Sequence, residues 1–108
     1  MKKYYVIHFA TKPEVLEGYG DLLTPYARDV IRSIMRMSKE ELIRELDKIP
    51  EGKVMSFYKN AVKTRVYVDE ASHDRWLAIP WRYKKHAQFL IHQRLIEKLD
   101  QLKKEGVV

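Results

Sequence analysis

The fold of this chain depends on the stretch from residue 70 to residue 82, which reads EASHDRWLAIPWR. A helix over these residues would hold Pro80 in its interior, at a cost of roughly 3 kcal/mol. A strand would instead use the short apolar run from Trp76 to Ile79, which lies between Asp74-Arg75 and Pro80. We favour the strand and expect Trp76 to Ile79 to be paired in a sheet, while a helix stays the alternative.

Three further segments have the residue usage of strands. The segment from Tyr4 to Phe9 is rich in β-forming residues and is followed closely by a Thr-Lys-Pro sequence. Residues 53–59 and 63–69 are also strand-like, and Asn60-Ala61 between them predicts a hairpin loop. Side chains alternate along a strand, which places Thr64, Val66 and Val68 on one face and Lys63, Arg65 and Tyr67 on the other.

Helical patterns occupy the middle of the first half and the end of the chain. Thr24-Pro25 has the residues of a helix start. Ser38 with Glu41 forms a capping box that predicts a second helix, ending at residues 50–52. The sequence leaves open whether these two helices are separate or continuous. A closing helix is predicted from about Lys84 to Lys104.

These segments predict one α+β domain over residues 1–108. It has an N-terminal strand, two helices, a small antiparallel β-sheet of three strands and a long C-terminal helix. The chain has no cysteine, as is common in the cytoplasm, and its N-terminal apolar run is far too short to span a bilayer. We therefore expect a cytoplasmic protein with no membrane partner. Its many charges and single asparagine, Asn60, are typical of thermophile proteins.

The net charge of +6 is concentrated in the second half of the chain. Residues 1–58 hold ten Lys and Arg against nine Asp and Glu, whereas residues 59–108 hold eleven against six. No acidic residue occurs between Arg75 and Ile96. Such a surface attracts polyanions such as DNA or RNA, although an acidic protein is also compatible with it.

The segment from Trp81 to His86 alternates aromatic and basic residues, a combination that can stack on bases while pairing with phosphates. The alternative is that Trp81 and Tyr83 are core residues beside ordinary surface lysines. The outward face of the strand at residues 63–67 offers a second basic surface. The predicted nucleic-acid contacts are Lys63, Arg65, Arg75, Trp81, Arg82, Tyr83, Lys84, Lys85, His86 and Arg94.

Three other features bear on the site. Arg28, Arg32 and Arg36 lie four residues apart and form a basic stripe on a helix, either for phosphates or as a solvated face. The four histidines lack the spacing of a metal site, and no glycine loop or dinucleotide motif occurs, so we expect neither metal nor cofactor. Phe89 and Ile96 give the last helix a second apolar face, which predicts a homodimer.

The expected order of elements resembles that of the RelE-type ribosome-dependent mRNA interferase toxins. The likeness lies in residues 53–86, a predicted sheet followed by a basic and aromatic stretch. It implies RNA cleavage supported by Arg65, Arg82, Tyr83, Lys85 or His86, and an opposing antitoxin.

Residues 63–99 are similar to a ribbon-helix-helix DNA-binding domain. An alternating strand is followed by Asp69-Glu70 as a helix start and by the Leu90-Ile91 and Leu95-Ile96 pairs in a final helix. The resemblance implies a dimeric ribbon in which Lys63, Arg65 and Tyr67 face the DNA groove. Pro80 departs from the pattern, because it falls within the first helix.

The function that these observations favour is non-enzymatic binding of DNA or RNA. A RelE-like ribonuclease toxin and a viral or plasmid-borne protein–protein adaptor remain alternatives. No catalytic residue is identified from the sequence.

Overall fold

The computed structural model describes residues 5–20 and 23–107. It confirms a mixed α+β architecture with a long C-terminal helix, but its sheet has two antiparallel strands rather than three. The elements are β1 (Tyr5–Thr11), α1 (Pro13–Tyr19), α2 (Leu23–Met35), α3 (Lys39–Asp47), α4 (Glu51–Lys59), β2 (Val62–Val68), α5 (Glu70–Ala78) and α6 (Trp81–Lys104).

Helix α6 is the centre of the structure, because it contacts α2, α3, α4 and β1. Its buried residues Ile91, Leu95 and Leu99 continue the predicted apolar stripe. The helix begins at Trp81, three residues before the predicted start. The second apolar face is also explained within the chain, since the Phe89 ring packs edge-on against Phe57 of α4 with centroids 5.7 Å apart. The observation that predicted a homodimer thus has an intramolecular cause.

The alternation predicted for β2 is confirmed. Val66 is fully buried and lies opposite Ile7 of β1, while the flanking side chains Arg65 and Tyr67 are exposed. Phe9 is buried on the same inner face as Ile7. The sheet therefore covers the helices with one face and turns the other outward.

The strand predicted over residues 53–59 is wrong, because these residues belong to α4. Pro50 immediately precedes the helix, a position that suits its fixed φ. Val54 and Phe57, three residues apart, are the buried residues of α4. The hairpin predicted at Asn60-Ala61 is also wrong, because a helix precedes these residues and β2 pairs with β1 instead.

The strand predicted over Trp76 to Ile79 is also wrong, because Trp76, Leu77 and Ala78 form the last turn of α5. Asp69 caps this helix: its side chain accepts hydrogen bonds from the backbone N–H of Ser72 at 3.1 Å and from the Ser72 hydroxyl at 2.8 Å. Pro80 avoids the expected penalty because it lies between α5 and α6 and inside neither.

Two helix starts in the first half have different outcomes. Ser38 caps α3 as predicted, since its hydroxyl accepts a hydrogen bond from the Glu41 N–H at 3.2 Å. This cap separates α3 from α2, so the two helices are not continuous. Thr24 is not a cap, because α2 already includes Leu23. Tyr4, where we expected the first strand to begin, lies outside the described residues.

The membrane expectation can be checked against helix length and hydropathy. In the part of the chain that the structure describes, every helix is too short or too polar to cross a bilayer.

Candidate nucleic-acid interface

Gln88 joins α6 to the sheet and thereby positions the candidate site. Its buried side-chain amide donates a hydrogen bond to the carbonyl of His8 at 2.5 Å and accepts one from the Ala10 N–H at 2.9 Å. One turn later, His92 Nδ1 lies 3.2 Å from the hydroxyl of Thr11 in a second buried hydrogen bond. Because the contacts advance together along both elements, α6 runs beside β1 in the same direction.

The outer face of the sheet is basic. His8 lies opposite Arg65, and Ala10 lies opposite Lys63. His8, Lys63 and Arg65 are exposed, and neither Lys63 nor Arg65 has a hydrogen bond or ion pair with a described residue. None of the described residues on this face is acidic: His8, Lys63, Arg65 and Tyr67 are exposed, Val6 is half-buried and Ala10 is buried. Within the described part of the chain, no carboxylate of the sheet's outer face therefore offsets the charge.

Lys85 of α6 extends this face. It is exposed and lies one turn before Gln88, whose amide contacts Ala10, the residue paired with Lys63. Its ammonium lies 5.5 Å from the centroid of the Tyr58 ring in α4, which places it beside the segment that leads into β2. We call His8, Lys63, Arg65 and Lys85 the basic surface.

Trp81 lies on the same side of α6 as the basic surface. It is separated from Gln88 by seven residues, close to two full turns, and from Lys85 by four, so the three share one side of the helix. Its side chain is 86% exposed, which contradicts the alternative that Trp81 is a core residue. The first turn of α6 contains no acidic residue.

The structure places three of the predicted contact residues in intramolecular roles. Arg75 donates to the carbonyls of Met35 at 2.6 Å and Met37 at 3.3 Å, and so completes the end of α2. Lys84 donates to the carbonyl of Trp76, and its ammonium lies 4.4 Å from the centroid of a Trp76 ring. Partial burial there lowers the pKa of Lys84.

Tyr83 is the third of these residues. Its hydroxyl donates to Asp47 of α3 at 3.0 Å, a bond that raises the pKa of Tyr83. The guanidinium of Arg82 lies 5.1 Å from the centroid of the Tyr83 ring. The side chains of the acid-free run therefore do not share one surface.

Two further predicted contact residues lie on a different side of α6 from the basic surface. His86 and Arg94 are separated from Gln88 by two and six residues, which turns both towards the opposite side of the helix. Nδ1 of His86 is buried and has no hydrogen-bond partner among the described residues. Arg94 is exposed beside Glu97 in a cleft between α6 and α2. Neither is brought near Lys63 or Arg65.

The arginine stripe of α2 also has partners within the chain. Arg28 Nε donates to the carbonyl of Tyr67 at 2.7 Å, and Arg32 Nε lies 3.5 Å from a carboxylate oxygen of Asp69. These two side chains tie α2 to β2 and to the cap of α5. No group of three or more His, Cys, Asp or Glu side chains in residues 5–20 and 23–107 could hold a metal ion.

Sequence reasoning missed His8 and Gln88. His8 lies in a run of mostly apolar residues that hides its role, although its position in the alternation with Ile7 and Phe9 places it on the outer face. Gln88 is the residue that brings Lys85 to the sheet. The only feature of the sequence that indicates its role is its place, as a polar residue, among the apolar residues of a helix.

The two family resemblances fare differently. The order expected for the RelE-type toxins is not observed, because residues 53–59 and 70–78 are helical and one strand follows the N-terminal helices. The strand-helix-helix order is present in β2, α5 and α6, with Pro80 between the helices. However, β2 pairs with β1 of its own chain. Comparison with protein-family models, curated proteins and solved structures found no match to the chain.

Proposed function

We propose that this protein binds nucleic acid through the basic surface. The observation that carries the proposal is the outer face of the sheet, which has no acidic side chain among its described residues. On it Lys63 and Arg65 are exposed and have no described partner, and Lys85 lies beside it. Such side chains bind phosphates by displacing condensed counterions, which supplies affinity that depends on salt but not on sequence. Binding without cleavage is the activity proposed.

The test is the simultaneous replacement of Lys63, Arg65 and Lys85 by Ala. Three lost phosphate contacts should flatten the dependence of log affinity on log salt by about 2 on single strands, or about 3 on duplex DNA. Fluorescence anisotropy with labelled oligonucleotides at several salt concentrations measures both affinity and slope.

The matched control removes the same charge elsewhere. Lys48, directly after α3, and Lys103 and Lys104, in the last turn of α6, are exposed. Their triple Ala variant should keep the slope within about half a unit, because none lies on the basic surface. Equal loss in both triple variants, or no affinity of the wild type at low salt, would refute the proposal and favour an adaptor for an acidic protein.

The same incubations separate binding from cleavage. Intact labelled RNA and DNA after prolonged incubation is the expected result, since the proposal assigns no acid–base pair. RNA fragments that disappear in the His86→Ala variant would favour the ribonuclease alternative.

A homodimer remains a proposal of lower rank. Ile96 is half-buried on the side of α6 that carries Phe89, so part of its surface is still open to a partner. Sedimentation of the wild type as a dimer and of the Ile96→Asp variant as a monomer is the expected result. A monomeric wild type at high concentration would exclude the dimer.

A further inference from the structure

We infer that the nucleic acid is single-stranded and that one of its bases stacks on Trp81. This inference rests on the proposed function and adds the class of ligand. It starts from a feature that the charge argument does not use, the exposure of aromatic rings beside the basic surface.

Trp81 is placed where a ring contributes little to the core. It is the first residue of α6 and 86% exposed, whereas the other tryptophan, Trp76, packs beneath the ammonium of Lys84. Tryptophan is highly buried on average, because its large apolar surface stabilises a core. An indole that is exposed to solvent at the start of a helix is therefore a candidate contact for a flat, apolar ligand surface.

The position of Trp81 relative to the charges fits a nucleic-acid strand. Trp81 and Lys85 are four residues apart on one helix, so their side chains are neighbours. A base stacked on the indole would place its adjoining phosphate in the region of the Lys85 ammonium. Gln88 holds this side of α6 against His8 of β1, and His8 lies opposite Arg65 of β2. A nucleic-acid strand that leaves Lys85 could therefore continue across the sheet to Arg65.

A second exposed ring lies on the sheet itself. Tyr67 is 46% exposed and shares the outer face with Arg65, two residues earlier in β2. Aromatic rings thus flank the cationic side chains on both the helix and the sheet. Alternation of rings and cations is the arrangement by which proteins hold unpaired strands, with bases on the rings and phosphates on the cations.

Single strands are favoured over duplexes because of what each offers to a ring. In a duplex both faces of a base are covered by its neighbours, and a protein reaches the base edges and the phosphates. In a single strand the π-face of every base is available, which makes stacking tolerant of sequence. Phosphate contacts alone would suit either ligand, so Trp81 decides between them.

The experiment compares one mixed sequence as single-stranded DNA, as single-stranded RNA and as duplex DNA. The wild type should bind the single strands at least about tenfold more tightly than the duplex. Trp81→Ala should weaken single-strand binding by about 5- to 150-fold at an unchanged salt slope, and Trp81→Phe should recover most of it. The two single-stranded arms show whether a 2′-hydroxyl matters.

Leu77 provides the matched control. It is an exposed apolar residue, 63% accessible, four residues before Trp81 but in α5 rather than α6. Leu77→Ala should bind single strands like the wild type. In a Trp76→Phe variant Trp81 is the sole tryptophan, and its fluorescence should be quenched by a single strand and not by the duplex.

The outcomes separate the inference from the function on which it rests. Equal affinity for duplex and single strand, with Trp81→Ala unchanged and the Lys63, Arg65 and Lys85 triple variant impaired, overturns the stacking inference and leaves the proposed function intact. Absence of binding to all three ligands at low salt overturns both.

Discussion

The arginines of α2 and the basic residues of β2 lie close together and behave differently. Arg28 and Arg32 reach across to a carbonyl and a carboxylate of the β2–α5 region. Lys63 and Arg65 lie on the same strand that Arg28 contacts, yet they point into solvent without a described partner. The same charge therefore holds the fold together in one region and is available to a ligand in the other.

This difference shows why the net charge of a segment is a poor guide to a binding surface. Of the basic residues in the acid-free run, Arg75 and Lys84 donate hydrogen bonds to carbonyls at helix ends. Arg82 and Lys85 are exposed and lie over the rings of Tyr83 and Tyr58 instead. A cation bonded inside the chain should affect stability when it is removed, and one that is exposed should affect binding. Three predictions on stability test this division.

The largest effect is expected from His92, a basic group that is 9% exposed and lies 4.6 Å from the Phe57 ring centroid. Burial, and to a lesser degree the charge of Lys12, lowers the pKa of His92 to about 4, against an opposing contribution from Glu14. Between pH 6.5 and 4 the unfolded chain binds a proton that the folded chain excludes. Stability should therefore fall as the pH falls through this window, by up to about 3 kcal/mol.

Urea denaturation at a series of pH values measures this effect. His92→Gln should remove most of the fall, because glutamine does not titrate. His8→Gln, on the exposed outer face, is the control and should retain the wild-type pH profile. Identical profiles for the wild type and His92→Gln would show that His92 is not the group responsible.

The second effect concerns Arg75. Its replacement by Ala leaves the carbonyls of Met35 and Met37 without their donor, and hydrogen bonds of a charged donor contribute more than neutral ones. We expect a loss of about 2 kcal/mol in the free energy of unfolding, with no change in the salt slope of binding. Arg82→Ala, at an exposed position, should lose less than about 0.5 kcal/mol. A larger loss of stability in Arg82→Ala than in Arg75→Ala would contradict the division between bonded and exposed cations.

The smallest effect comes from neighbouring lysines. Lys84→Ala should lose about 1 kcal/mol of stability, because its ammonium bonds to the Trp76 carbonyl and covers the Trp76 ring. It should leave the salt slope unchanged. Lys85→Ala should do the opposite, flattening the slope by about 0.7 to 0.9 with little effect on stability. Equal effects of the two variants on both measurements would show that burial does not separate them.

The sequence was a good guide where a few adjacent residues decide the outcome. The cap at Ser38 depends on an oxygen and an N–H three residues apart, and the faces of β2 follow from alternation alone. Lys63 and Arg65 were therefore correctly expected on an outward face. Most of the length of α6 could be predicted because its apolar residues recur at helical spacing, a pattern that lies within the helix itself.

Distant contacts decided the rest. Val54 and Phe57 suit a strand as well as a helix, and the packing of Phe57 on Phe89 of α6 accompanies the helical outcome. The role of Arg75 depends on Met35, 40 residues earlier in the chain. For α5 the evidence was local, because Asp69 and Ser72 have the spacing of a helix cap. The expected cost of a proline inside a helix outweighed this evidence, although Pro80 lies between two helices.

A sheet of two strands consists of edge strands alone, and an open edge is a template on which another chain can polymerise. The amide of Gln88 occupies the backbone groups of His8 and Ala10 as a third strand would, and Arg28 takes the carbonyl of Tyr67 on the other edge. A strand from a second copy would have to displace these side chains before it could add to the sheet. Side chains from α2 and α6 thus protect a very small sheet from aggregation without a bulge or a proline in either strand.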